Sequence, residues 1–284
     1  MRAFFIASAS ECSSHRDDED AGRDQEGGEL AMDMQSPTTL LYATDSYVRA
    51  FEARVVATDG RAVTLDQTAF YPGGGGQMAD QGEFLFEGRR LALAGLSKRD
   101  GVVWHELAED AGDPPPVGAM VAGEIDWPFR YNMMRTHTAL HLLCGLIFHD
   151  YGAQVTGGQM YPDRARMDFT LATMTPDFLH DIERSVNEAI AADHPIKVSE
   201  LPRAEALEIP DLIRTKINLL PPEITRIRIV EIVGVDLQAD GGTHVHSTRE
   251  VGGIKVLRTE NKGKQNKRME IALTDGNDGD GDRA

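Results

Sequence analysis

From Thr38 to about Trp127 the apolar residues come in short runs rather than at helical intervals. Arg54-Val55-Val56 and Ala62-Val63-Thr64-Leu65 flank Asp59-Gly60, a dipeptide suited to the tight turn of a hairpin. Similar runs follow at Phe84-Leu85-Phe86, Leu91-Ala92-Leu93, Val102-Val103-Trp104 and Ala119-Met120-Val121. Glu87-Gly88, Asp100-Gly101 and the prolines 114–116 separate them as turns. About six short strands joined by tight turns predict a small closed barrel.

Beyond Trp127 the texture changes. Pro128 suits the first turn of a helix, and Phe129 to Asp150 contains no further Pro and only Gly145 as a glycine. Met133, Leu140, Leu143 and Ile147 recur at helical spacing. A second helix is predicted from Pro176 to about Ala192, with Phe178, Ile182, Val186 and Ile190 along one face. Ile196-Val198, Ile227-Ile229, Ile254-Val256 and Met269-Ile271-Leu273 alternate as strands. With no strict βαβ alternation, the fold class is α+β: a small N-terminal β-barrel, then an α+β domain with an antiparallel sheet packed on helices. The expected boundaries are an acidic tail at 1–35, the barrel at 36–126, the second domain at 127–274 and another acidic tail at 275–284.

Composition narrows the function classes. The 284 residues carry 46 Asp+Glu against 29 Lys+Arg, a formal charge of −17, and 41% of them are hydrophobic. Only 7 of the bases are lysine, a balance suited to a cytoplasm of high salt. No run of about 18 apolar residues is present, so no membrane span is expected. Cys12 and Cys144 are the only cysteines, which rules out a disulfide framework and a cysteine-rich zinc site. The start of the chain imitates a signal peptide but runs into Asp17-Asp18-Glu19-Asp20; a tail, or a start codon upstream of Met32 or Met34, is the preferred reading. The expected location is cytoplasmic.

Three segments carry chemistry. His137-Thr-Ala-Leu-His141 lies inside the first long helix, where i,i+4 spacing stacks both imidazoles on one face within reach of a single cation. Alone, such a pair serves equally for packing and solvation. Asp240-Gly-Gly-Thr-His244 combines two ligand types with glycines that let the backbone approach closely, or forms an ordinary polar turn. Together the segments offer three His and one Asp, a donor set suited to Zn2+. The third segment is Phe70-Tyr-Pro-Gly-Gly-Gly-Gly-Gln77, followed by Asp80 and Gly82. It lacks the lysine and the following helix of a phosphate cradle, so it reads as a loop closing over a ligand, or as a flexible hairpin tip.

The trio FYPxGGGQ, HTALHLL and GGTHV, in that order, resembles the free-standing trans-editing proteins of the AlaX type. These are relatives of the editing domain of alanyl-tRNA synthetase and, more distantly, of threonyl-tRNA synthetase. The likeness spans about Tyr42 to Leu273, includes the run from Gly158 to Phe169, and suggests the medium-length class. It implies a translation-protein-like barrel followed by an editing domain that holds one zinc per chain. It also implies hydrolysis of tRNA(Ala) mischarged with serine or glycine, with that tRNA as partner. No ATP is expected, because a full alanine–tRNA ligase needs an additional aminoacylation domain.

The resemblance assigns His137, His141, Asp240 and His244 to the metal. One departure matters: the family pattern is usually CGGTH, and Asp240 stands in the cysteine position. A carboxylate still ligates zinc, but as a harder donor it makes the ion a stronger Lewis acid and the site less selective. If Asp240 does not ligate, three His and an open position remain. Cys144 reads as a buried structural thiol rather than a substitute ligand. Zinc could activate water, polarise the carbonyl or hold the substrate's amino group, and all three roles stay open. Gln238 is a candidate for holding a ligand or orienting substrate, and N–H groups of Gly241 and Gly242, or of Gly74 and Gly75, are candidate oxyanion donors. Thr243, Thr138, Thr156 and Gln159 are candidates to bond the serine hydroxyl, with Gly74, Gly75 and Gln77 lining the pocket.

Four of the scarce lysines, Lys255, Lys262, Lys264 and Lys267, cluster near the end with Arg258 and Arg268. Arg164 and Arg166 extend the set. Either this is a tRNA-binding surface or it is a solvated turn. An alternative reading of the whole chain is a tRNA-binding relative whose catalysis has decayed, with Asp240 marking the loss.

Overall fold

Alternation of exposed and buried residues is clearest in the first long strand, β2 (Ala50–Asp59), where Phe51, Ala53 and Val55 point inward. The computed structural model describes residues 37–275, apart from 218, 219, 221 and 223. The expectations for 1–35 and 276–284 therefore lie outside the described residues. Ahead of β2, β1 (Thr39–Leu40) and a single helical turn, α1 (Leu41–Thr44), lead in. Then come β3 (Ala62–Leu65) and β4 (Gln67–Thr68), which pairs with β1 in parallel. The glycine loop follows, and after it β5 (Gly82–Phe86), β6 (Arg89–Arg99), β7 (Val102–Leu107) and β8 (Met120–Ile125). β2, β3, β7, β6, β5 and β8 close an antiparallel six-stranded barrel in that order, as the sequence predicts. Phe51, Val63, Leu65, Phe70, Phe84, Leu91 and Leu107 fill it.

α2 (Trp127–Tyr151) starts where Asp126 accepts a hydrogen bond from the Phe129 N–H, and ends at Gly152 in the left-handed conformation. Buried residues occur all round α2, so the helix lies inside the fold rather than on it. It packs against β9 (Val155–Met160), β10 (Arg164–Phe169) and α3 (Pro176–Ala191). α3 is capped by Thr175 and buries Ile182, Val186 and Ile190, as predicted, with Phe178 partly buried. β11 (Ile196–Pro202) and a short helix, α4 (Arg203–Leu207), precede β12 (Arg226–Ile232) and β13 (Asp236–Ala239). A 3-10 turn at Thr248–Val251 leads to the hairpin of β14 (Gly253–Gly263) and β15 (Asn266–Thr274).

Two antiparallel sheets result, β14-β15-β10-β9 and β11-β12-β13, so the α+β class holds. Strands β9, β10 and β13 were not among those read from apolar periodicity. Gly157-Gly158 and the charged positions of β10 hide their alternation. No described helix is long and apolar enough to cross a membrane.

Candidate metal centre

His137 and His141 face the same side of α2, one turn apart, with ring centroids separated by 5.1 Å. The loop after β13 brings Asp240 and His244 onto them, the His244 ring lying 4.2 Å from that of His137 and 4.6 Å from that of His141. Asp240 is the focus: its carboxylate stands 3.0 Å from His244 Nε2, 3.5 Å from His137 Nε2 and 3.9 Å from His141 Nε2. One ligand atom from each of the four residues lies within 4.8 Å of the others. The imidazoles are buried and Asp240 nearly so.

Each imidazole is held from behind by its other nitrogen. His137 Nδ1 meets Gln77 Oε1 at 3.0 Å and His244 Nδ1 meets Thr138 Oγ1 at 3.2 Å. His141 Nδ1 lies 3.3 Å from Asp236 Oδ2, close enough for ion pairing without the alignment of a hydrogen bond. Such outer contacts fix the ring orientation and free Nε2 for a cation. Asp236 is itself held by Gln238, whose Nε2 donates to it at 2.5 Å, and by Arg214 at 3.5 Å. Past His244, the Glu250 carboxylate accepts from the N–H groups of His246 and Ser247 and anchors the loop.

The glycine loop reaches this centre from the barrel. Gly73 to Gly76 all have positive φ, between 59° and 132°, which residues with a Cβ rarely adopt. The loop turns back on itself through Gly74 N–H to Gln77 O and Gln77 N–H to Gly74 O, and β5 rather than a helix follows. Gln77 is thereby buried, and Oε1 accepts from the Thr243 N–H at 3.1 Å while Nε2 donates to Thr243 Oγ1 at 2.8 Å. Gly242 needs its glycine for a different reason: a Cβ there would stand 2.3 Å from His137 Cε1. The loop is pinned by Asp80, which forms a fully buried ion pair with Arg130 of α2 and accepts from the Tyr71 N–H at 2.5 Å.

Electrostatics separates the four groups. Burial, reinforced by the neighbouring imidazoles, holds His137 well below its usual pKa and His244 at about 4, so both stay neutral. Burial would lower His141 as well, but the Asp236 and Asp240 carboxylates outweigh it and raise it to about 9. Burial would raise Asp240, and the three imidazoles hold it well below the carboxylate range instead. Three neutralisable nitrogens around one ionised carboxylate form a donor set that fits a divalent cation of zinc type.

Several assigned roles change once the geometry is known. The Gly242 N–H donates to Asp240 Oδ2 at 2.7 Å, and the Gly74 N–H is spent within its loop, so neither faces an oxyanion. The Thr138 hydroxyl is engaged by His244 Nδ1, and Thr156, on the exposed part of β9, donates to Asn266. Gln159 donates to Gly76 O at 3.2 Å beside the glycine loop, keeping its carbonyl oxygen available. Thr243 stays beside Gln77, and Gly241 has open space around it. Cys144 is buried outside the cluster, its thiol pushed up to about 12 chiefly by burial.

The sequence reading missed Asp236, which the alternation Asp236, Gln238, Asp240 would have placed on one face of β13. It also missed Arg228, whose Nη1 donates to Asp240 O at 3.0 Å.

Among the basic residues, Arg258 pairs with Glu270 and Arg268 with Asp168, each through two hydrogen bonds of 2.7 and 2.8 Å. Lys262 meets Glu260 at 3.2 Å, Lys267 donates to Gly263 O, and Lys255 and Lys264 are exposed.

Three buried His and one Asp, framed by a barrel loop and a helix of an α+β domain, form a cluster that could hold a metal ion. Residues 227–270 match the threonyl and alanyl tRNA synthetase second additional domain, and residues 11–129 match the class II (A) tRNA synthetases. The chain is 43% identical to the alanyl-tRNA editing protein AlaX-M of Saccharolobus solfataricus, over 82% of this chain and 97% of the relative. It is 39% identical to AlaX-M of Methanosarcina acetivorans, over 84% of this chain and all of the relative. Similarity to the alanine–tRNA ligase of Pyrobaculum neutrophilum, at 38% identity, covers 78% of this chain but 25% of that enzyme. The chain belongs to the AlaX-M family of alanyl-tRNA editing proteins.

Proposed function

We propose that this protein is a zinc-dependent aminoacyl-tRNA deacylase that hydrolyses Ser-tRNA(Ala), or Gly-tRNA(Ala), in trans in the cytoplasm. The observation that carries the reading is the meeting of three Nε2 atoms and the Asp240 carboxylate at one buried point, each ring braced from outside. His137, His141, Asp240 and His244 would hold the ion. Zinc, when bound, supplies Lewis acidity toward the ester and brings the pKa of a water to about 7.

The chain's own groups do the rest. Gln77 and Thr138 fix the His137 and His244 rings, and Asp236 does the same for His141. Gly241, exposed beside Asp240 and with open space where a side chain would stand, lets a bulky ester approach closely. The free carbonyl oxygen of Gln159 and the hydroxyl hydrogen of Thr243 are the groups that accept or donate to the serine hydroxyl. A site in which bound substrate shields the part-buried Gln159 and the buried Thr243 disfavours alanine, which leaves them unpaired. The division into a barrel at 36–126 and an editing domain at 127–274 is part of the same proposal, as is tRNA binding through Arg164, Arg166, Arg258, Arg268 and the lysines of the β14–β15 hairpin.

Release of labelled serine from Ser-tRNA(Ala), with Ala-tRNA(Ala) as control, in high-salt buffer tests the reading. The expected result is faster release from the serine ester, abolished by chelation and restored by one equivalent of zinc. Equal rates on both esters would remove the selectivity. Tight tRNA binding without hydrolysis by the zinc-loaded protein would favour the decayed-catalysis reading.

A further inference from the structure

The sheet β14-β15-β10-β9 has two unlike faces. Ala165, Phe169, Met160, Met269 and Ile271 point into the core around α2. The opposite face carries a cross-strand row, Arg258 opposite Glu270, Glu270 opposite Arg166, and Arg166 opposite Gln159. Because directly paired residues share a face, the four side chains form one line across the sheet. A neighbouring row sets Glu260, Arg268 and Asp168 side by side, and another sets Lys255 and Arg164 on either side of Ala272. The face thus bears five bases and three acids in a chain whose formal charge is −17.

The row has a direction. At one end is exposed Arg258; at the other, Gln159 donates to the carbonyl of Gly76, whose neighbour Gln77 braces His137. Three gaps of about 4.8 Å between strands make the line about 14 Å long. Over it opens a cleft of about 330 Å³ lined by Tyr161, Arg164, Arg166, Arg258, Arg268 and Glu270. The doubly hydrogen-bonded pairs with Glu270 and Asp168 hold Arg258 and Arg268 in fixed orientations, which lowers the entropy cost of binding an anion. The Arg164 guanidinium lies 5.1 Å from the centre of the Tyr161 ring, an aromatic surface on which a base can stack.

We infer that this sheet face is a track for single-stranded RNA, guiding the 3′ terminal nucleotides of the aminoacylated partner along the Arg258–Glu270–Arg166–Gln159 line into the metal centre. Arginines contact phosphodiesters and Tyr161 stacks a base. A flat polar sheet with an aromatic ring suits unpaired nucleotides, and the ester lies at the 3′ terminus of the partner. The inference rests on the proposed deacylase reading for its direction, but its binding component can be measured without hydrolysis.

The test compares wild type with Arg166→Ala and with the Arg166→Ala/Arg258→Ala double variant, using anisotropy of a fluorescent short single-stranded RNA across a salt series. The double variant is expected to bind about 10-fold more weakly, with the slope of log K against log salt shallower by about 0.7 for each phosphate that is no longer neutralised. In deacylation, the ratio of kcat/KM on aminoacyl-tRNA to that on a minimal aminoacyl ester is expected to fall by a similar factor, through KM. Unchanged affinity and salt slope would overturn the track. So would a larger drop in affinity for a duplex RNA of equal length than for the single strand. If wild type hydrolyses neither ester, the deacylase reading falls, and the anisotropy series still decides the track.

Discussion

Two regions of this protein bury histidine, and they do so to opposite ends. In the barrel, His105 has no exposed surface and sits between Phe70 and Phe84. Both of its nitrogens are engaged, Nε2 with Thr68 Oγ1 at 2.9 Å and Nδ1 with Val63 O at 3.3 Å. In the candidate metal centre, His137, His141 and His244 each face a protein group through Nδ1 and turn Nε2 toward Asp240. Burial alone therefore does not mark a functional histidine. The proposed mark is a nitrogen facing a shared point after its partner nitrogen has been fixed, a costly arrangement that a bound cation would offset.

Removal of a ligand should separate the regions most sharply. His244→Ala is expected to abolish both stoichiometric zinc and deacylation while the far-UV circular dichroism of the barrel and sheets persists; retention of the ion would mean the cluster is not the site. Next in size is the pin between the regions. Arg130→Met leaves Asp80 buried without its partner, and urea denaturation should report a loss of about 3–5 kcal/mol. A loss under about 1 kcal/mol would show that the pair does not hold the barrel loop to α2.

The barrel histidine comes next. Burial lowers the pKa of His105 to about 4, below its unfolded value, so it contributes stability above about pH 6.5 that is lost as pH falls toward 4. That window corresponds to about 3 kcal/mol. In the zinc-loaded protein, His105→Gln should flatten the acid limb of a stability-against-pH curve, and an unchanged limb would assign it elsewhere. The smallest expected effect concerns the braces: Gln77→Ala should weaken zinc binding by about 10–100-fold in a competition titration without altering the barrel. Affinity equal to wild type would reduce Gln77 to a packing role.

How much of this was written in the chain differs between the regions. Asp59-Gly60, Glu87-Gly88 and Asp100-Gly101 announce hairpins locally, and all three become turns between adjacent strands of the barrel. The long helix was equally plain, because Pro128 and the apolar spacing act within one segment. β9 and β10 were hidden because glycines and charged residues interrupt their alternation, and the pairing of β10 with β15 is set about 100 residues away. The four residues of the candidate metal cluster were legible as two short motifs. Their braces were not: Gln77 and Thr138 carried substrate-pocket assignments, and only the folded loop shows them turned toward imidazole nitrogens. Asp236 was passed over because the alternation that puts it on the same face as Asp240 does not by itself say that this face meets a helix residue 95 positions earlier.

The coordination of the purified protein, read by metal analysis together with X-ray absorption at the zinc edge, bears most directly on the central claim. One zinc per chain, with three nitrogens at about 2.0–2.1 Å, oxygen at about 2.0–2.2 Å and no sulfur, is the predicted result. A sulfur scatterer at about 2.3 Å, or zinc bound through fewer than two histidines, would contradict it.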